Sequence, residues 1–131
     1  MAISTLRAEF QCDAKRVWDI VTSLSEYSWR SDLDRIEILS ENKFVEYSKD
    51  GFVTTFMVTA NEYCKRWEFD LENVNIFGHW TGVFTQNGGK TTIEFIENVT
   101  AKKLFMKPFV KGFLKKQQAR YIKDLKKALG A

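Results

Sequence analysis

The stretch WEFDLE, residues 67–72, alternates strictly between a large apolar side chain and an acid. Such alternation predicts a β-strand with one face against a core and the other in water. Apolar residues two positions apart continue this pattern through residues 36–100, interrupted by turn signals such as Asp50-Gly51. The links between successive strands are too short for parallel crossovers, which need about a dozen residues. We therefore predict six consecutive antiparallel strands in this region.

The segment before these strands predicts one more strand and two short helices. Residues 3–11 alternate between apolar and polar side chains, which is typical of a half-buried strand. Asp13 stands at an N-cap position in front of residues 14–21, whose apolar side chains recur at helical spacing. Residues 25–32 predict a second short helix, which closes near Trp29.

The C-terminal segment predicts one long amphipathic helix. Pro108 fits a first-turn position, where its missing N–H costs nothing, and Gly130 fits the C-terminal stop. The residues between them are mostly good helix formers. The apolar stripe consists of Phe109, Val110, Phe113, Leu114, Tyr121, Ile122, Leu125 and Leu129. The chain is thus predicted to be α+β, with a curved seven-stranded antiparallel sheet wrapped around this helix.

The length and composition predict a single globular domain over residues 1–131, because 44% of the residues are hydrophobic and 28% are charged. No apolar run approaches the ~20 residues of a membrane span, and no signal-peptide pattern is present. Cys12 and Cys64 are far apart and form no CxxC. We expect two free thiols and a cytoplasmic location, although the sequence leaves a disulfide between them open.

Five segments carry a resemblance to a known family: DAKRVW (13–18), YSWR (27–30), GHW (78–80), GKTTI (89–93) and YIKDLK (121–126). With the order of elements, they resemble the helix-grip fold of the START and birch-pollen-allergen (SRPBCC) superfamily, in particular its polyketide cyclase/dehydrase-like branch. The resemblance implies a U-shaped sheet of seven strands, two small helices closing one end, and a cavity beneath the last helix. Members bind lipids, sterols, polyketides or hormones, and some catalyse cyclisation or hydrolysis, without a shared catalytic motif.

A curved sheet and a straight helix cannot pack flush along their whole length, so side chains or a ligand must fill the gap between them. Aromatic residues make up 15% of the chain and could line such a cavity. For any single ring, the simpler alternative is ordinary core packing. The candidate ligand-binding residues are Trp29, Phe56, Trp67, Phe69, Trp80, Phe109, Phe113 and Tyr121.

Three polar residues could act on a ligand in the cavity, although none lies in a catalytic pattern. Glu97 shares a strand face with Phe95, whereas Glu94 falls on the opposite face. A carboxyl group among rings would have a raised pKa and could act as an acid or base; the simpler alternative is a solvated strand-end glutamate. Tyr121 belongs to the helix stripe, and His79 is the only histidine, without a second ligand at metal spacing. We predict no metal and no other cofactor.

Positive charge is concentrated near the C-terminus, where residues 102–131 hold ten Lys or Arg and one acid, although the net charge of the chain is only +3. A Lys-rich helix could contact an anionic membrane, at most transiently, because the sheet is expected to cover its apolar stripe. The lysines carry no interleaved stacking platform, so no nucleic-acid partner is predicted. Arg30 and Asp32 are interpreted as a surface ion pair without function.

These observations leave three functional hypotheses. The first is a carrier or sensor that binds a lipid-like, sterol-like or polyketide-like molecule between the sheet and the C-terminal helix. The second is a cyclase, dehydratase or hydrolase acting in the same cavity through Glu97, Tyr121 or His79. The third is an interaction module whose cavity is vestigial. Because no two titratable groups converge in the sequence pattern, we favour the non-enzymatic hypothesis, with the chain as a monomer or weak dimer.

Overall fold

A computed structural model describes residues 2–130 of the chain. The described part contains seven β-strands, two α-helices and one short 3₁₀ turn. In chain order these are β1 (Ala2–Phe10), α1 (Ala14–Thr22), β2 (Leu33–Ser40), β3 (Lys43–Ser48), β4 (Val53–Glu62), β5 (Arg66–Glu72), β6 (Ile76–Asn87), β7 (Lys90–Ala101), the 3₁₀ turn (Leu104–Met106) and α2 (Lys107–Leu129). The predicted α+β class is confirmed.

All seven strands form one curved sheet in the order β1-β7-β6-β5-β4-β3-β2, and every neighbouring pair is antiparallel. The predicted sheet is therefore confirmed. The central strand, β5, carries the WEFDLE stretch. On its inner face Phe69 stands opposite Trp80 of β6, and Leu71 stands opposite Phe56 of β4. The alternation in the sequence thus sorts large apolar side chains onto the concave face.

Helix α1 begins as predicted from its capping residue. The carboxylate of Asp13 accepts a hydrogen bond from the backbone N–H of Arg16 at 2.9 Å. Val17 and Trp18 are buried, and the Trp18 ring meets Phe84 edge-on at 5.0 Å between centroids. The helix therefore closes one end of the concave face through its aromatic side chain.

The prediction of a second short helix at residues 25–32 is wrong. In the described part of the chain a single short helix follows β1, and residues 23–32 form turns and bends that we call the Trp29 loop. The hydroxyl oxygen of Ser23 accepts from the backbone N–H of Glu26 at 3.0 Å. The N–H of Arg30 donates to the carbonyl of Tyr27 at 3.0 Å. Each of these bonds closes a single turn, and neither turn continues into a helix.

The long C-terminal helix is confirmed and packs mainly on β1 and β7. Its buried residues recur at intervals of four or seven, which places them on one side of the helix. They are Val110, Leu114, Gln118, Leu125 and Leu129. Gly130 ends the helix with a left-handed φ of 68°, and its N–H donates to the carbonyls of Lys126 and Lys127.

The main hydrophobic core lies between the concave face, α1 and the C-terminal half of α2. A smaller apolar cluster beneath the first turns of α2 contains Val99, Ala101, Val110 and Leu114. Cys12 and Cys64 are both free thiols. Among residues 2–130, neither helix has the length and apolar character needed to cross a membrane.

Candidate functional site

A continuous series of ring contacts crosses the concave face, with one ring from each of five neighbouring strands. We call this series, with the two rings that end it, the aromatic ladder: Phe44, Phe56, Phe69, Trp80, Phe95, Tyr121 and Trp29. Phe44 and Phe56 stack with centroids 4.9 Å apart, and Phe69 meets Phe56 edge-on at 5.0 Å. Phe69 and Trp80 stack at 4.9 Å with their planes 2° apart. Phe44 and Phe56, like Phe69 and Trp80, are directly opposed on neighbouring strands, and the other strand pairs of the ladder are diagonal neighbours. The register of the sheet therefore sets this sequence of contacts.

Phe95 is the last ring of the ladder on the sheet, and the remaining two rings, Tyr121 and Trp29, belong to α2 and the Trp29 loop. The Phe95 ring lies 5.0 Å from Trp80 and 5.4 Å from Tyr121. Tyr121 in turn meets the Trp29 ring edge-on at 5.3 Å. The sheet, the helix and the loop therefore meet at Tyr121, where the apolar ladder gives way to polar groups.

Arg30 lies at this junction and binds two carboxylates. Its Nε and Nη2 atoms donate to Asp32 at 3.1 and 2.9 Å, and Nη1 donates to Glu46 of β3 at 3.2 Å. The side chains of Arg30, Asp32 and Glu46 are only 14%, 21% and 16% exposed. The interpretation of Arg30 and Asp32 as a surface pair is therefore wrong. The guanidinium turns inward over the Tyr121 ring, with Cζ 5.3 Å from its centroid.

The pKa shifts of Arg30 and Asp32 both favour the charged forms of these two side chains. Burial alone would lower the pKa of Arg30, but Glu46 and Asp32 raise it above its ordinary value. Burial would likewise raise the pKa of Asp32, yet the hydrogen bond from Arg30 lowers it. One guanidinium thus faces two carboxylates, which gives these three largely buried side chains a formal net charge of −1.

Trp29 leaves a polar atom without a protein partner at the same junction. Its indole Nε1 is buried and makes no hydrogen bond within residues 2–130. An unsatisfied buried donor costs roughly 1–3 kcal/mol, so folded proteins contain few such groups. The N–H of Trp29 is therefore a donor available to a ligand.

Glu97 faces the interior from β7, between Ser4 of β1 and Trp80 of β6. Only 8% of it is exposed. Burial raises its pKa to about 7, although the neighbouring Gln118 side chain and the charge of Arg30 oppose the shift. Glu97 can therefore gain or lose a proton near neutral pH, which is the range of a general acid or base.

The model of the family described as polyketide cyclase/dehydrase and lipid transport matches residues 1–130. The chain belongs to this family. A search of curated protein sequences gave no significant match.

Solved structures of similar shape agree with this family at the level of the fold. A START superfamily protein from Mycobacterium smegmatis superposes with a TM-score of 0.89 at 13% identity, covering 98% of this chain and 97% of its own. A conserved protein from Geobacillus kaustophilus gives 0.86 at 13% identity, covering 98% and 95%. A protein from Mesorhizobium loti gives 0.82 at 13% identity, covering 98% and 97%. The helix-grip fold of the START superfamily is therefore shared along the whole chain.

Most of the rings predicted to contact a ligand lie in or beside the ladder of this polyketide cyclase family member. Trp67 is buried next to the ladder and meets Phe69 edge-on at 6.4 Å. Phe109 and Phe113 differ, because they are 73% and 52% exposed. Their neighbours Val110 and Leu114 face the sheet instead, and one residue corresponds to a rotation of about 100° around a helix. The expectation that both phenylalanines face the cavity is therefore wrong.

His79 lies on the other face of β6 from Trp80 and so outside the interior. Its Nδ1 and Nε2 atoms each lie 2.7 Å from a carboxylate oxygen, of Asp70 and Glu68 respectively. Burial lowers the pKa of His79, but these two hydrogen bonds outweigh it and raise the pKa. The residue therefore does not join Glu97 and Tyr121, as the enzyme hypothesis required. Among residues 2–130, no group of three or more His, Cys, Asp or Glu side chains could hold a metal ion.

Two surface concavities on residues 2–130 lie away from the aromatic ladder. An open groove of about 570 Å³ lies on the convex face, next to His79 and Phe77. A pocket of about 90 Å³ lies beneath the start of α2, next to Val99 and Val110. The predicted cavity between the sheet and α2 is not confirmed, because ring side chains fill much of this space.

Sequence reasoning missed the polar residues that join α2 to the sheet. The hydroxyl of Ser4 donates to Gln118 Oε1 at 2.8 Å, and Gln118 Nε2 donates to the Ser4 carbonyl at 3.1 Å. Both side chains are buried. A signal was present, because Gln118 follows Leu114 by four residues on the buried stripe. Glu46 carried no comparable signal, since its partner Arg30 is distant in sequence.

Proposed function

We propose that this chain binds an apolar small molecule along the aromatic ladder and acts as its carrier or sensor. The observation that carries the proposal is the buried, unpaired Nε1 donor of Trp29 at the polar end of the ladder. Apolar walls with a few convergent polar groups are typical of small-molecule sites. The family description, which includes lipid transport, supports the same class of ligand.

The polar group of the ligand should be a neutral acceptor such as a carbonyl or hydroxyl. Arg30 is paired with two carboxylates, Asp32 and Glu46, so these three side chains together have a formal charge of −1. An anionic ligand group would be repelled by that charge, whereas a neutral oxygen can accept from Trp29 Nε1. The ligand must displace ring contacts within the ladder and replace them with its own apolar surface.

We test this with native mass spectrometry of protein purified from its own host, followed by titration of the identified molecule against Trp29→Phe. The variant keeps an aromatic ring but removes the indole N–H and part of the ring surface, so we expect affinity to fall about 5–10-fold. Trp18→Phe, a buried ring on α1 outside the polar junction, serves as the matched control. Equal affinity of Trp29→Phe and wild type would overturn the polar contact, and the absence of any bound molecule would favour an interaction module with a vestigial cavity.

The second candidate function is catalysis in the same space, of the cyclase, dehydratase or hydrolase type. It is favoured by the pKa of Glu97, about 7, and by the position of Tyr121 within reach of the charge of Glu97. Glu97→Gln distinguishes the two functions. A carrier should keep its affinity within about twofold, whereas an enzyme should keep affinity and lose turnover by about 100-fold or more.

A further inference from the structure

Four large apolar side chains near the start of α2 are exposed on one short segment. We call Leu104, Phe105, Phe109 and Phe113 the Phe patch. Their exposed fractions are 79%, 73%, 73% and 52%. Single exposed apolar residues are common on proteins, but four of them within ten positions indicate a contact surface. Phe109 and Phe113 are one helical turn apart and so lie on the same side of α2.

Only positive charges surround the Phe patch in the sequence. Six exposed lysines lie within or next to it: Lys102, Lys103, Lys107, Lys111, Lys115 and Lys116. No Asp or Glu occurs between Glu97 and Asp124. Of these lysines, Lys102 is paired with Glu72 at 2.7 Å. The segment therefore combines exposed apolar side chains with charges of a single sign, and Lys102 is its contact with an acid of the neighbouring sheet.

We propose that the Phe patch docks the protein on an anionic lipid bilayer. Rings and a leucine that enter the interface, flanked by lysines at the headgroups, are the features of an interfacial helix. A second copy of this chain is a poor occupant, because a two-fold interface would bring the same lysines together. This proposal is independent of the ligand proposed above.

Docking requires no rearrangement of the fold. The residues of α2 that hold it on the sheet at this end are Val110 and Leu114, which are buried. Phe109 and Phe113 each precede one of them and point to solvent. The helix can therefore contact sheet and lipid at the same time. The expectation that the sheet would occupy the whole apolar stripe applies to only part of it.

The experiment is co-sedimentation of the full chain with vesicles of phosphatidylcholine alone or with about 30% phosphatidylserine. We expect binding to the anionic vesicles only, weakening as salt is raised. Phe109→Ser combined with Phe113→Ser should weaken binding at least about tenfold, because two inserted rings are lost. Both positions are exposed, so the fold should persist. Phe52→Ser, 41% exposed between β3 and β4, is the matched control and should bind like wild type.

Four results would overturn the proposal. The first is no binding to phosphatidylserine vesicles at low salt, and the second is equal binding by the double variant. The third is a concentration-dependent dimer in sedimentation velocity that the same substitutions abolish, since a second copy would then cover the Phe patch. Tight, salt-sensitive binding to single-stranded nucleic acid without vesicle binding would equally count against it.

Discussion

At the scale of single residues, the shape of the aromatic ladder depends on a glycine. A Cβ atom at Gly82 would lie 2.7 and 2.8 Å from two ring carbons of Trp80. The indole of Trp80 therefore lies flat against the backbone of its own strand, which allows it to stack on Phe69. Gly82 is buried although it has no side chain to pack. The missing side chain makes room for the ring.

Gly82→Ala should destabilise the protein by roughly 1–3 kcal/mol, because the methyl group forces the Trp80 ring off its position. The near-ultraviolet circular dichroism of the Trp80–Phe69 stack should change as well. Gly112→Ala on α2 is the control, since a Cβ there meets nothing within 4 Å. The stability of that variant should instead increase by up to about 1 kcal/mol, because Ala has a higher helix propensity than Gly. Denaturation in urea measures the stability of both variants. An equal effect of the two substitutions would contradict the proposed role of Gly82 in making room for the Trp80 ring.

At the scale of elements, the Trp29 loop is held onto α2 by two side chains, Asp124 and Arg120. The Asp124 carboxylate accepts from the backbone N–H of Ser31 at 2.8 Å and from its hydroxyl at 2.7 Å. Arg120 Nε donates to the same hydroxyl at 2.8 Å. These bonds keep the loop closed over the polar end of the ladder. Asp124 is the only acid of the lysine-rich C-terminal segment, and the loop uses it as an anchor.

Asp124→Ala should release the loop without unfolding the sheet. The N–H of Ser31 then loses its acceptor, so we expect its hydrogen exchange to become about tenfold faster. Exchange of the central strand β5 should not change. The neighbouring exposed residue Lys123, replaced by Ala, provides the control. Unchanged exchange at Ser31 would show that Arg120 and the ion pairs of Arg30 hold the loop without Asp124.

At the scale of the whole molecule, burial of Glu97 makes stability depend on pH. Its pKa is about 7 in the folded chain against an ordinary value of 4.5. Between these values the folded state keeps a proton that the unfolded state has released, so stability falls as the pH rises. The raised pKa of His79 acts in the same direction, since its contribution is complete below pH 6.5 and is lost above that.

We expect the free energy of unfolding to fall between pH 4.5 and 7, with Glu97 contributing roughly 3 kcal/mol of that loss. Glu97→Gln imitates the protonated side chain and should remove this part of the slope. The free energy of unfolding of the variant, relative to that of wild type, should therefore increase as the pH rises to 8. Urea denaturation at several pH values measures the difference. Glu94→Gln, on the opposite face of β7, should leave the slope unchanged. A parallel pH profile for Glu97→Gln would contradict the buried position of Glu97.

Periodicity was sufficient to predict the seven antiparallel strands, the long C-terminal helix and the inward face of Glu97. These features follow from spacing along the chain, because a period of two or 3.6 assigns each side chain to a face before any tertiary contact forms. The resemblance to the START superfamily rested on the same order of elements. The cap of α1 was predictable for the same reason, because Asp13 and the N–H that it binds are three residues apart in the sequence.

Contacts between residues distant in sequence decided the rest. Arg30 turns inward because Glu46 of β3 and the ring of Tyr121 lie there, and neither partner is adjacent in the chain. The Trp29 loop replaces a helix because Asp124 and Arg120 hold it from α2. The exposure of Phe109 depends on which side of α2 meets the sheet. A sequence pattern shows that a helix has an apolar stripe, but only packing determines how much of the stripe is covered.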